Sequence, residues 1–216
     1  MKLKLIFLLL TLILISGCSI TGSFVNVTNC VGFDANKVDA CYVSIAKQKK
    51  DIVFCNIIRD KLSVEYCYTE VAQEKNDINI CSQIKGIYWH DICYKKLALA
   101  NGNPGYCTKL REVTDGNKCL LEIGKENNDM DACKIINNIE MRDECFKSIA
   151  VATEDEEFCG MISKQLEKDA CYKKIAKIKK SISICNKIKT SIVKEGCYED
   201  ILGKQAQQIE RKIVRV

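Results

Sequence analysis

Proline is nearly absent from this 216-residue chain, which has Pro104 and no other, and glycine is held to eleven. Collagen-like and low-complexity chains need far more of both, and loop-built disulfide mini-domains need turn residues that are missing. There is one histidine, His90, and one tryptophan, Trp89. No two cysteines stand closer than eleven residues, so no C-x-x-C pair exists. That removes the usual zinc-ligand spacing and the usual low-pKa thiol arrangement. The sequence shows no Gly-rich phosphate loop, no G-x-S-x-G and no H-E-x-x-H, so no catalytic residue, cofactor or metal site is assigned. No base-reading motif points to nucleic acid. What is abundant is cysteine, fifteen in all, in a chain 47% apolar and too hydrophobic for disorder.

Long apolar runs are missing too. Leu5 to Ile15 is apolar except for Thr11, and about 11 residues of helix reach only ~17 Å against a hydrocarbon core of ~30 Å. Preceded by Lys2 and Lys4, this reads as a signal peptide rather than a span. Ile15-Ser16-Gly17-Cys18 resembles the lipobox of prokaryotic lipoproteins. The resemblance implies cleavage after Gly17, so that residues 1–17 are removed, Cys18 carries lipid and residues 18–25 form a short tether. The protein would then stand on the extracytoplasmic face of the membrane. Parity agrees: removing Cys18 from fifteen leaves an even number, and secretion supplies the oxidising surroundings disulfides need.

The remaining cysteines are 30, 41, 55, 67, 81, 93, 107, 119, 133, 145, 159, 171, 185 and 197. From Cys41 onward the intervals alternate 14 and 12, a period of 26, and only the first pair is one residue short. Four residues before each first cysteine stand Asn26, Asp51, Asp77, Asn103, Asp129, Asp155 and Ser181, all suited to cap a helix N-terminus. Pro104 follows Asn103 at the favoured first helical position. Three residues after each first cysteine comes a bulky apolar residue, Phe33, Ile58, Ile84, Leu110, Ile136, Ile162 or Ile188, on the same helix face. This predicts a first helix of two to three turns. Polar or flexible residues interrupt it at Asp34-Ala35-Asn36, Asp60-Lys61, Gly86, Asp115-Gly116-Asn117, Asn137-Asn138 and Thr190-Ser191. A second helix follows. Its cysteine is trailed by Tyr42, Tyr68, Tyr94, Leu120, Phe146, Tyr172 or Tyr198, and four residues on by an aliphatic that usually precedes Ala or Gly. Apolar positions at i, i+1, i+4 and i+5 form one stripe, and the small residue lets a neighbouring helix approach.

The expected fold is therefore all-α, an α-solenoid of seven helical hairpins over residues 26–206, with 207–216 as a basic capping segment. Pairing within each hairpin uses every cysteine: Cys30–Cys41, Cys55–Cys67, Cys81–Cys93, Cys107–Cys119, Cys133–Cys145, Cys159–Cys171 and Cys185–Cys197. Pairing across hairpins would orphan Cys30 and Cys197. The plan resembles tetratricopeptide and Sel1-like repeats, most of all the cysteine-rich Sel1-like proteins, although the unit is shorter and lacks a Trp-Leu-Gly-Tyr signature.

Tyr88-Trp89-His90 has no counterpart in the other units and is the candidate binding patch. His90 and Asp91 diverge by about 100° on a helix, so adjacency is not expected to bring them together. The tyrosines beside the second cysteines are expected to pack between repeats. Residues 129–170 hold eleven acidic and five basic residues, and 173–216 twelve basic and four acidic, a polarity able to steer a partner. Asn26-Val27-Thr28 is the single glycosylation sequon. The expected function is a membrane-anchored module that binds a protein or an envelope component. A structural cell-surface spacer is the alternative, and a Sel1-like envelope-polymer hydrolase the more distant one.

Overall fold

The computed structural model describes Cys30 and residues 34–213, without side chains at 35, 36 and 204–213. The leader, Cys18, the tether, Asn26 and Phe33 lie outside the described residues. Helix α1 (Ala35–Lys49) is followed by a single 3-10 helix (Ile52–Ile57) and then by α2 (Lys61–Lys75). The alternation of short and long continues through α3 (Ile78–Cys81), α4 (Ile87–Asn101), α5 (Pro104–Cys107), α6 (Val113–Asn127) and α7 (Met130–Ile135). It is completed by α8 (Ile139–Thr153), α9 (Glu157–Gly160), α10 (Gln165–Lys179), α11 (Ile182–Cys185) and α12 (Ser191–Ile213). The described residues contain no strand. Seven long helices thus begin 26 residues apart, and α12 carries part of the expected capping segment onward as helix.

The long helices lie parallel. Asp39, early in α1, bonds to the backbone at the entrance to α2, while Asn76 and Asn101 exchange amide hydrogen bonds at the far ends of α2 and α4. Each long helix packs substantially on the long helices before and after it and on its flanking short helices, which is the contact pattern of a stack. Parallel order also explains why the first helix of each of the six units from residue 51 onward has only four to six residues, not two to three turns. The eleven residues that separate one long helix from the next must travel back along a 15-residue helix, ~22 Å, whereas eleven residues of continuous helix rise only ~17 Å. Part of the return must be extended, and it is: Ile58 and Ile136 leave the helical region with ψ of 136° and 119°. Their side chains reach the core from extended backbone.

The core is a line, not a ball. All seven expected disulfides are present, with Cα atoms 5.6–5.9 Å apart, each joining a short segment to the long helix of its own unit. Ile149, Ile175, Ala150 and Ala176 are fully buried beside them. Where the fourth unit has Gly124, an added β-carbon would lie 2.4 Å from Cys145 Sγ in the next unit, so the small residue seats one helix against its neighbour's disulfide. The predicted interruption at Asp115-Gly116-Asn117 falls inside α6. Within that helix the bare Cα of Gly116 lies close to the Cys107 carbonyl oxygen, 3.2 Å from where a β-carbon would stand.

One residue joins each unit to the next. Lys50, Asn76, Gly102, Asn128, Glu154 and Lys180 stop six successive long helices in the left-handed conformation, with φ of 52–58°. The following N–H closes the turn: those of Asp51, Asp77, Asn103, Asp129, Asp155 and Ser181 donate to the carbonyl six-to-one across the helix end, at Ala46, Ala72, Ala98, Gly124, Ala150 and Ala176. The same residues then accept with their side chains. Asp51, Asp77, Asn103, Asp129 and Asp155 take the N–H two residues on, as expected of caps. Ser181 departs from this: its Oγ pairs with Ser183 Oγ instead, because the hydroxyl has a competing partner within reach.

Candidate binding surface

A second ladder crosses every interface and was not read from the sequence. Two residues before the first six second cysteines, in the first turns of the long helices, stand Asp39, Glu65, Asp91, Asn117, Asp143 and Asp169. Each reaches the loop that enters the next long helix. Asp91 accepts from the N–H groups of Arg111 and Glu112 at 3.0 Å each. Asp143 accepts from Ser163 and Lys164 at 2.8 and 3.0 Å, and Asp169 from Lys189 and Thr190 at 3.0 and 2.8 Å. Asp39 does the same for Arg59 and Asp60, while Glu65 and Asn117 hold one N–H each, from Gly86 and Asn137. These groups serve the free donors at a helix entrance, where a negative charge also meets the positive end of the dipole. Burial pushes Asp169 and Asp91 up. The hydrogen bonds from Thr190, Lys189 and Gln165, and from Arg111, His90 and Glu112, outweigh it and hold both below the ordinary carboxylate range.

The candidate patch divides. Tyr88, Trp89 and His90 all lie in the first turn of α4. Tyr88 is exposed, whereas Trp89 packs against the core between the rings of Tyr66 and Tyr88, each 5.2 Å away. His90 is buried, its ring 4.7 Å from that of Tyr94. Contrary to expectation, His90 Nδ1 and Asp91 Oδ1 meet at 2.8 Å, because both side chains turn toward the same packed interface. Asp91 is occupied by the two backbone donors of the next unit, so the pair fixes a helix entrance.

The tyrosines beside the second cysteines pack on the core, and their hydroxyls stay within the unit: Tyr68 donates to Asn56 Oδ1, and Tyr198 bonds Asn186. The charge polarity is partly consumed in ion pairs within and between units. Glu156 binds Lys179 and Lys187, and Asp200 binds Lys173 and Lys177. The Lys179 hydrogen bond, its own N–H and Lys187 bring Glu156 down to about 2. Glu70 sits between Lys47 of α1 and Lys96 of α4.

Concave space recurs on the face formed by the long helices. A groove of about 660 Å³ between α1 and α2 is lined by Asp39, Lys47, Ser63, Tyr66 and Glu74. A second, about 550 Å³, lies between α4 and α6 with Tyr88, Asp91, Lys95, Asp115 and Lys118. A third, about 260 Å³, lies between α8 and α10 with Glu140, Asp143, Lys147, Lys164 and Glu167. Asp39, Asp91 and Asp143 occupy the same register in all three, two units apart each time. Between α2 and α4, the intervening interface, Trp89 packs against Tyr66. The described residues include no group of three or more His, Cys, Asp or Glu able to hold a metal, and no helix among them is long and apolar enough to cross a membrane.

Fold and surface together define a disulfide-stapled α-solenoid. No protein-family model matches the chain, and no match emerges among curated proteins or solved structures.

Proposed function

We propose that this is a lipid-anchored, extracytoplasmic repeat protein whose long-helix face binds an extended polypeptide or envelope polymer. The grooves carry this reading: three at one register, each mixing carboxylates with ammonium groups. With long helices ~8–10 Å apart, grooves at every second interface lie ~16–20 Å from one another. An extended chain advances ~3.3 Å per residue, so every fifth or sixth residue would meet a groove. The lipobox resemblance at Ile15–Cys18 and the odd cysteine support the anchor.

Two measurements test the two halves. Cys18→Ser should move the protein from the membrane to the soluble fraction, and unchanged fractionation defeats the anchor. In cross-linked cells the parent should capture a partner that Lys95→Glu/Lys118→Glu, which reverses the middle groove, loses at least in part. Equal capture by both defeats the groove.

A further inference from the structure

The apolar residues that remain exposed are not scattered. Leu62, Tyr88, Val113, Ile139, Leu166 and Ile192 are the first or second residues of six successive long helices, and all but Ile139 are 65–78% exposed. Since the long helices are parallel neighbours, these side chains form one row along the edge where the helices begin. Ile57, Ile135 and Met161, at the ends of the preceding short segments, extend the row. At ~8–10 Å per helix it runs for ~50 Å.

The exposed charge at the same edge is cationic; the ladder acids Asp39, Glu65, Asp91, Asp143 and Asp169, four of them buried, also meet these segments but are engaged by backbone N–H groups. The six segments 57–62, 83–88, 109–114, 135–140, 161–166 and 187–192 hold eight basic residues and three acidic ones, a net of +5. The rest of residues 34–213 holds twenty-two basic and twenty-five acidic, a net of −3. Arg59, Lys61, Lys85, Arg111, Lys164 and Lys189 are all exposed there. Of the three acids, Asp60 is engaged by Ser63 and Glu140 by Lys164.

We infer that this edge lies on an anionic lipid bilayer, with its apolar side chains at the acyl boundary and its cations among the headgroups. Single apolar residues spaced along a line and separated by Lys and Arg suit a fluid interface, in which each side chain finds its own depth. A folded partner would instead want pockets or protrusions at fixed places, and the grooves described above open on the long-helix face, touching this edge at Tyr88, Glu140 and Lys164. The inference rests on the anchoring reading only for what brings the edge to the membrane.

The test uses the full-length protein on vesicles of phosphatidylcholine, with or without phosphatidylglycerol, some chains brominated. Trp89, the only tryptophan, stands next to Tyr88 on this edge, so quenching of its emission by bromine reports contact. Quenching is expected on anionic vesicles, much less on neutral ones, and is lost at about 0.5 M salt, where the Debye length falls to a few ångströms. The variant Leu62→Ser/Val113→Ser/Leu166→Ser/Ile192→Ser should need about tenfold or more lipid for the same quenching, while a melting curve like the parent's shows the fold is kept. Equal quenching by parent and variant, or equal quenching on neutral and anionic lipid, overturns the inference. So does loss of a cross-linked protein partner by the variant with vesicle contact unchanged, which assigns the edge to that protein. Parent and variant share the same leader and Cys18, so failure of the anchor shows only in the Cys18→Ser fractionation.

Discussion

A β-carbon added to Gly86 would lie 2.2 Å from Glu65 Oε2, which ties together two departures from the repeat. Elsewhere in the ladder the acceptor is mostly aspartate, and the residue entering the next helix carries a side chain. Between the second and third units the acceptor, Glu65, is one methylene longer, and the space it needs is found by removing the side chain opposite, at Gly86. Gly86→Ala should therefore destabilise the protein by about 1–3 kcal/mol as an overpacked site. In a Glu65→Asp background the same change should cost about 1 kcal/mol less, because the shorter acid withdraws from the clash. A double-mutant cycle on denaturant midpoints measures this, and strict additivity would show that the two positions are independent.

At the scale of the helical unit, the disulfide replaces length. Short segments of one turn have little stability of their own, and closing a ~12-residue ring contributes roughly 3 kcal/mol in the chain-entropy model. Removing Cys107–Cys119 by a double change to Ser should weaken the fourth unit most, since α6 also carries Gly116 and Gly124 inside a helix. Amides there should exchange faster while neighbouring units stay protected, and the same change at Cys159–Cys171 should be milder. Protection lost evenly along the chain would contradict a stack of separable units. The period of 26, the pairing and the faces of the long helices are legible in the sequence because they depend on spacing alone, whereas the apolar residue three after a first cysteine lies past the end of its short helix in every described unit, not on a shared helix face. The acid ladder was equally periodic, yet Asp143 or Asp169 beside a buried cysteine means nothing until the backbone donors twenty residues later are in place. Residue type hides the left-handed stops, since Lys50, Glu154 and Lys180 occupy them as well as Gly102. Nothing in the type of Leu62 or Ile192 marks it as exposed, and only the placement of helix starts puts them on an edge. His90 was misjudged because helical angles describe where side chains begin, not where rotamers take them.

For the whole molecule, two rungs of the ladder and two ion-paired glutamates make stability sensitive to acid. Asp91 and Asp169 are held low when folded, as are Glu70 and Glu156, while unfolded carboxylates titrate near 4. In acid the unfolded chain binds more protons, so stability from these groups is complete above about pH 5 and is lost as pH falls through the folded values. The urea midpoint should be flat from pH 7 to about 5 and then drop, with a smaller drop in Asp169→Asn. A midpoint unchanged down to about pH 3 would remove the ladder from the stability account. The disulfides, by contrast, never bridge two units, and this governs how the molecule behaves under tension. A reduced unit drawn straight measures ~90 Å at ~3.5 Å per residue. An oxidised one is short-circuited at its staple, where the Cα atoms are 5.6 Å apart, and reaches only ~55 Å. Oxidised, the chain stretches to about 60% of its reduced contour, so the thiol chemistry of its surroundings sets how far the molecule can be drawn out under load.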